Sequence, residues 1–157
     1  MIEAEYSRGA QILTTNRMAY VCADYQEHFS PEVTRLLARL NAYGYNLEAG
    51  GCRKVVLRDD VIVGAFHYGE SYFNQESVFR LHWLVADEDG NGVGEFILRY
   101  VECAAKPHRY VYASYSLDND RSARFFDRHH FIRVGDTTNN ETDSRKRLDA
   151  PSIVRTV

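Results

Sequence analysis

The sequence predicts a mixed α/β domain built around one strand–loop–helix–strand unit. Three neighbouring segments carry that expectation. Val78 to Ala86 is a long, mostly apolar run that reads as a central strand. Asp87 to Gly94 is a glycine-rich turn that follows it directly. Glu95 to Ala105 then reads as a helix, with Ile97, Tyr100, Val101 and Ala104 on one face and Pro107 beyond its end.

The other elements follow in order. Arg17 to Ala23 reads equally as a short strand or a helical turn. Ser30-Pro31-Glu32-Val33 opens a helix, with Ser30 as N-cap and Pro31 at the first helical position. Val33, Leu36, Leu37 and Leu40 supply its apolar stripe, Arg35 and Arg39 take the other face, and Gly44 lies past its end. Lys54 to Arg58 and Val61 to Tyr68 form a hairpin across Asp59-Asp60. Gly69 to Ser77 reads as a polar loop that carries Tyr72 and Phe73. After the central unit come a strand at Tyr110 to Ser114, a helix at Asn119 to His130 and a strand at Phe131 to Val134. Residues 137–151 read as a polar, mobile loop, with a last strand at Ser152 to Val157. The whole chain, 1–157, reads as one domain.

Composition removes several classes. With 45% hydrophobic and 26% charged residues the chain is neither disordered nor low-complexity. No apolar run approaches the roughly 20 residues that span a bilayer. Met1 to Tyr6 has no basic or apolar leader character, so no secretory signal is expected. Cys22, Cys52 and Cys103 are scattered and odd in number, which argues against a disulfide framework and a structural zinc site. A reducing cytoplasm is the expected compartment. Cys103, on a helix, is expected to be buried. A net charge of −3 argues against nucleic-acid binding.

The glycine turn has a chemistry of its own. Asp89-Gly90-Asn91-Gly92-Val93-Gly94 lies between a strand and a helix. Alternate glycines let successive N–H groups converge, and the helix dipole adds positive potential, which suits phosphate. The plain alternative is a turn with permissive glycines. No Lys-Ser/Thr follows, and the spacing is not that of a dinucleotide fingerprint.

Leu84-Val85-Ala86-Asp87-Glu88-Asp89-Gly90-Asn91-Gly92-Val93-Gly94 resembles the acetyl-CoA signature of the GNAT N-acyltransferases. That family's Gln/Arg-x-x-Gly-x-Gly/Ala loop maps onto it with Asp89 at the Gln/Arg position and glycines at Gly92 and Gly94. The family's later motif resembles Asn119 to Phe131, where Asn119, Ser122, Phe125 and Phe131 match in kind. His130 stands at the family's Gly, and Phe126 where the family often has the Tyr that protonates the leaving thiolate. Both motifs and the element order span roughly residues 53 to 135.

The resemblance implies a mostly antiparallel sheet flanked by helices, with acetyl-CoA held between the two central strands. It implies transfer of an acetyl group to a primary amine by direct attack. Cofactor contacts fall to Leu84, Val85, Ala86, Gly90, Asn91, Gly92, Val93, Gly94, Glu95, Asn119, Ser122 and Phe125. His82, on one strand face with Leu84 and Ala86, is the candidate base, or equally a hydrogen-bonded sheet histidine. Glu76 and Glu70 are weaker bases. Tyr115, with Ser116 or Tyr112 behind it, is the candidate acid. Arg121, Arg124 and Arg128 read as a solvated face or as partners of a CoA phosphate. Tyr43, Tyr45, Tyr72 and Phe73 read as packing or as the lining of an acceptor groove. Partners are then acetyl-CoA and an amine on a small molecule or protein, without membrane or metal; homodimerisation stays open. A non-catalytic CoA-binding or protein-interaction module is the alternative, motivated by Asp89, Phe126 and His130.

Overall fold

The chain runs through seven strands among the residues described by this computed structural model, which are 20–39, 51–87, 92–137 and 139–148. Leu40, Tyr43, Gly44, Tyr45 and the strand expected at 152–157 lie outside them, as do Asp89, Gly90 and Asn91. Strand β1 is Val21–Asp24, so the first ambiguous segment ends as a strand. A 3-10 turn, Glu27–Phe29, leads into helix α1, Ser30–Arg39. The helical run therefore starts one turn before the expected N-cap. Ser30 already has helical angles, φ −52° and ψ −44°, and its hydroxyl bonds the Tyr25 hydroxyl.

Strands β2, Cys52–Arg58, and β3, Val61–Phe73, are joined by Asp59 and Asp60 at φ 52° and 65°. Two successive left-handed residues give the turn that matches strand twist. Strand β4, Glu76–Ala86, follows across Asn74 and Gln75, at φ 50° and 69°. The polar loop expected at Gly69 to Ser77 is thus a second tight hairpin. Asn tolerates the left-handed region, and the residues before it alternate between half-buried and exposed as a strand requires. Then come α2, Val93–Ala105; β5, Tyr110–Ser116; α3, Asp120–Arg128; β6, Ile132–Asp136; and β7, Glu141–Arg147. The strand order is β1-β2-β3-β4-β5-β7-β6, antiparallel except for the β4–β5 pair. No helix among the described residues is long and apolar enough to cross a membrane. The chain divides into two compact units, Met1–Gly69 with Trp83–Ala104, and Glu70–His82 with Ala105–Val157.

In the first unit helices cover both faces of the sheet. Val33, Leu36 and Leu37 of α1 pack on Val55, Leu57, Ala65, Trp83 and Val85. A bulge shapes β3. Val56 pairs with Gly64 but Leu57 with Ile62, which leaves Val63 as an extra residue. Ile62 and Ala65 can therefore both face α1 although three residues apart. On the opposite face Gly64 receives α2. A Cβ there would stand 2.7 Å from Val93 Cγ1 and 3.0 Å from the Val85 carbonyl oxygen. Phe66 and Tyr68 meet Tyr100 edge-on, and Lys54 lies over the same ring while pairing with Asp24 at 2.6 Å. Phe96, Ile97, Leu98, Val101 and Ala105 are buried, but Ala104 is exposed and Cys103 only half-buried, so in the last turn the inward position is Ala105 and not Ala104.

In the second unit α3 packs on β5 through Phe126, whose ring stacks on Tyr115 at 5.4 Å. The segment expected as a mobile loop contains β7, paired with β5 on one side and β6 on the other. Its sequence, Glu-Thr-Asp-Ser-Arg-Lys-Arg, hides this because its buried side chains are hydroxyls. Ser144 donates to the Ala113 carbonyl at 2.9 Å and Thr142 to that of Gly135 at 3.3 Å, so both are satisfied without apolar character.

Two outcomes follow. Gly64→Ala should lower stability by about 1–3 kcal/mol, the usual cost of forcing atoms into a packed core, measured by urea unfolding. Burial, with Tyr100 and Cys52 beside it, pushes the Tyr68 phenol far above the ordinary phenol range. The unfolded chain ionises that phenol near pH 10. Its contribution is therefore complete below about pH 10 and lost as pH rises beyond it. Tyr68→Phe should flatten the alkaline fall of the unfolding midpoint.

Candidate functional site

The first unit supplies the turn between strand and helix. Val85 is buried on the α1 side, while Leu84 and Ala86 are half-buried and alternate to the other face. Asp87 leaves the strand with its N–H on the Val63 carbonyl at 2.7 Å. Gly92 has φ +83°, and its Cβ position meets nothing within 4 Å, so backbone angle and not crowding calls for glycine. Its carbonyl accepts the Phe96 N–H at 2.9 Å, the first bond of α2. Gly92 thus holds the N-cap position without a side chain to cap. The N–H groups of Val93, Gly94 and Glu95 open the helix with no acceptor within it, at the positive end of the dipole. The Val93 side chain turns inward against Gly64, and the Glu95 carboxylate is held by Arg99 at 3.2 Å. Any anion contact from these residues is made through backbone.

The second unit holds the proton-transfer candidates. The parallel ladder of β4 and β5 consists of Arg80↔Tyr112 and Leu81↔Ala113, and His82 is the first β4 residue past it. His82 is half-buried and alternates to the face of Arg80. Arg80 itself is buried. It pairs with Asp143 at 2.9 Å, donates to Ser71 Oγ and the Tyr72 carbonyl, and lies by the Tyr112 ring. The sequence reading does not find this pair, although a cation inside an apolar strand run signals a partner.

Glu76 is exposed at the start of β4, six residues from His82. At about 3.3 Å per residue that is roughly 20 Å, so the two are not brought together. Glu70 accepts from Ser77 at 2.7 Å and lies 3.7 Å from His108. Tyr115 and Ser116, expected just after β5, are inside it. The Tyr115 hydroxyl accepts from Arg133 Nε at 3.4 Å, which directs it across β7 towards β6, away from β4.

Asn119 caps α3, its side chain accepting the Ser122 N–H at 3.0 Å. Ser122 and Phe125 are half-buried, and the Phe125 ring meets Phe126 and His129. Arg121, Arg124 and Arg128 are exposed. At the other end His130 takes φ 73°. Its N–H bonds the Asp127 carbonyl, the Phe131 N–H bonds the Phe126 carbonyl, and the two Phe rings lie 5.0 Å apart. These are the bonds and apolar contact of a Schellman cap, which explains why glycine suits this position. Tyr72 is exposed, and Phe73 packs on Tyr112 at 5.1 Å. No group of three His, Cys, Asp or Glu among the described residues forms a metal site.

No family model and no curated protein matches the sequence. Solved structures match the fold. An acetyltransferase from Thermus thermophilus is 17% identical, with 82% of this chain and 96% of that one covered and a TM-score of 0.68. A GNAT-family acetyltransferase from Listeria monocytogenes is 10% identical, with 82% and 94% covered at 0.62. A protein from Arabidopsis thaliana in complex with the bisubstrate analogue CoA-Ac-MVNAL is 15% identical, with 81% and 97% covered at 0.62. The fold is that of the GNAT acetyltransferases, a mixed, mostly antiparallel sheet flanked by helices.

The two ends of α3 give opposite expectations. Asn119→Ala should cost about 1 kcal/mol by losing the cap. His130→Gly should add about 0.5–1 kcal/mol, because relief of a left-handed side chain exceeds the extra entropy of glycine. Thermal unfolding of both variants checks the signs.

Proposed function

We propose that this chain is an acyl-CoA-dependent N-acyltransferase that passes the acetyl group of acetyl-CoA to a primary amine by direct attack. The observation that carries the reading is Gly92: a left-handed residue in open space at the N-cap of α2, in the connection from β4, on a fold shared with acetyltransferases. The N–H groups of Val93, Gly94 and Glu95, which have no acceptor within the helix, suit the CoA pyrophosphate. Gly90 and Asn91 are proposed to extend that cradle, and the backbone of Leu84, Val85 and Ala86 to bond the pantetheine amides. Asp89, at the family's Gln/Arg position, is compatible with a cradle made of backbone.

The chemistry needs one proton removed from the ammonium and one delivered to the departing thiolate. His82 is the proposed base, taking the amine proton directly or through water. Glu76 is too far along β4 to share that proton. By alternation Tyr115 lies on the sheet face opposite Arg80 and His82, with its hydroxyl on Arg133, so Ser116 or Tyr112, on the face of His82, is the better-placed proposed acid. Asn119, Ser122 and Phe125 are proposed to serve the cofactor by fixing the start and face of α3. A reducing cytoplasm suits the three thiols without a disulfide among the described residues.

A second reading, a CoA-binding module without catalysis, is favoured by Phe126. It lies buried and stacked where the family often has its Tyr, so no phenol stands there.

Acetyl-CoA should raise the melting temperature by linkage. Gly92→Val, with folding confirmed by circular dichroism, should abolish the shift. Thiol release with a panel of amines separates enzyme from binder. His82→Gln should lower turnover and remove a histidine-range ionisation from the pH–rate profile, whereas Tyr115→Phe should lower it less. An undiminished shift in folded Gly92→Val sinks the assignment of the cofactor loop. A severalfold gain in Phe126→Tyr supports the module reading.

A further inference from the structure

One face of the second unit carries cations that the acyl-transfer reading does not use. Tyr112 of β5 lies opposite Arg145 of β7, which lies opposite Ile132 of β6. Tyr110 lies opposite Arg147 in the same way. Opposed residues share a sheet face, so these five side chains stand together, away from Tyr115 and α3.

Arg145 is held with care. Its guanidinium lies 4.0 Å from the centre of the Tyr110 ring, and Nη1 donates to the Tyr112 hydroxyl at 3.0 Å. Those phenols also raise its affinity for its proton. Yet among the described residues no carboxylate lies within 4 Å of it, whereas Arg35, Arg80 and Arg99 each have one. The nearby Asp143 is taken by Arg80. Arg147, two residues on, is exposed and likewise has no carboxylate within that distance among the described residues. Ile132 beside them is 70% exposed, an apolar side chain open to solvent next to an ordered cation.

We infer that this face docks an extended acidic peptide with carboxylates at alternate positions. Arg145 and Arg147 are spaced as residues i and i+2 of a strand, about 6.6 Å. Side chains at i and i+2 of an extended peptide repeat at the same distance and on the same side. A Glu-x-Glu segment therefore presents one carboxylate to each guanidinium. Arg145 is pre-ordered by its two phenols, so less rotamer entropy is lost on pairing. Ile132 offers contact to an aliphatic residue of the peptide. Two cations at strand spacing on one sheet face suit a peptide strand better than a small molecule. The inference stands independently of acyl transfer.

The test is fluorescence anisotropy of the full chain with labelled acetyl-Val-Glu-Val-Glu-Val-amide. Saturable binding that weakens with salt is expected. Arg145→Gln and Arg147→Gln should each weaken it at least fivefold, and Ile132→Ser, at an exposed position, at least twofold. Arg124→Gln on α3 should leave it unchanged. The proposal is overturned if the Gln-x-Gln peptide binds as well, or if a peptide with adjacent glutamates does. It is equally overturned if Arg124→Gln weakens binding as much as Arg145→Gln, or if a single-stranded RNA binds more tightly than the peptide.

Discussion

The absence of a side chain at Gly64 is the constraint on which the first unit depends. Helix α2 reaches β3 there so closely that Val93 occupies the place of a Cβ, with the Val85 carbonyl on its other side. The Val63 bulge sets the phase of β3 so that Gly64 faces the helix while its neighbours Ile62 and Ala65 face α1. Once Val93 is seated, the chain arriving from β4 must turn sharply into the helix, and the left-handed Gly92 makes that turn. The placement of the first helical turn, whose N–H groups have no acceptor within the helix, is therefore a result of core packing as much as of the glycine turn itself.

The second unit solves a different problem. Its internal strand β7 has scarcely any apolar side chains to bury. Hydroxyls of Thr142 and Ser144 return their bonds to neighbouring carbonyls on one face, and on the other Asp143 receives Arg80. Such pairs rarely add net stability over apolar packing, but removing one partner leaves the other buried and unmatched. They fix register, because a slip by one residue would present every one of these groups to the wrong face.

This contrast explains what was legible in the sequence. The order of strands and helices from Lys54 to Val134 follows from apolar periodicity, and the glycines at 92 and 94 do mark the opening of a helix. Strand β7 was illegible because burial there is satisfied by hydroxyls, which composition scores as loop. The Asn74-Gln75 hairpin was illegible because Gln is a rare left-handed residue. Among the candidate residues, His82 stands at the end of a ladder that its position alone suggested. Strand alternation could place Tyr115 on a face but not foresee Arg133 two strands away. Asn119 reads as a motif residue, and in the structure it stands immediately before the helix and caps it by accepting the N–H of Ser122, three residues on.

Strand β6 ends the described sheet, and its outer edge would ordinarily invite pairing with a strand of another molecule. Here the register with β7 shifts between Arg133 and Gly135, so Val134 is an inserted residue that bends the edge. Charged Arg133 and Asp136 flank the bend, and both are exposed. An incoming strand would have to lie along a kinked, charged border only five residues long. The same irregularity that ends the sheet therefore guards the protein against forming intermolecular β-aggregates when it is crowded.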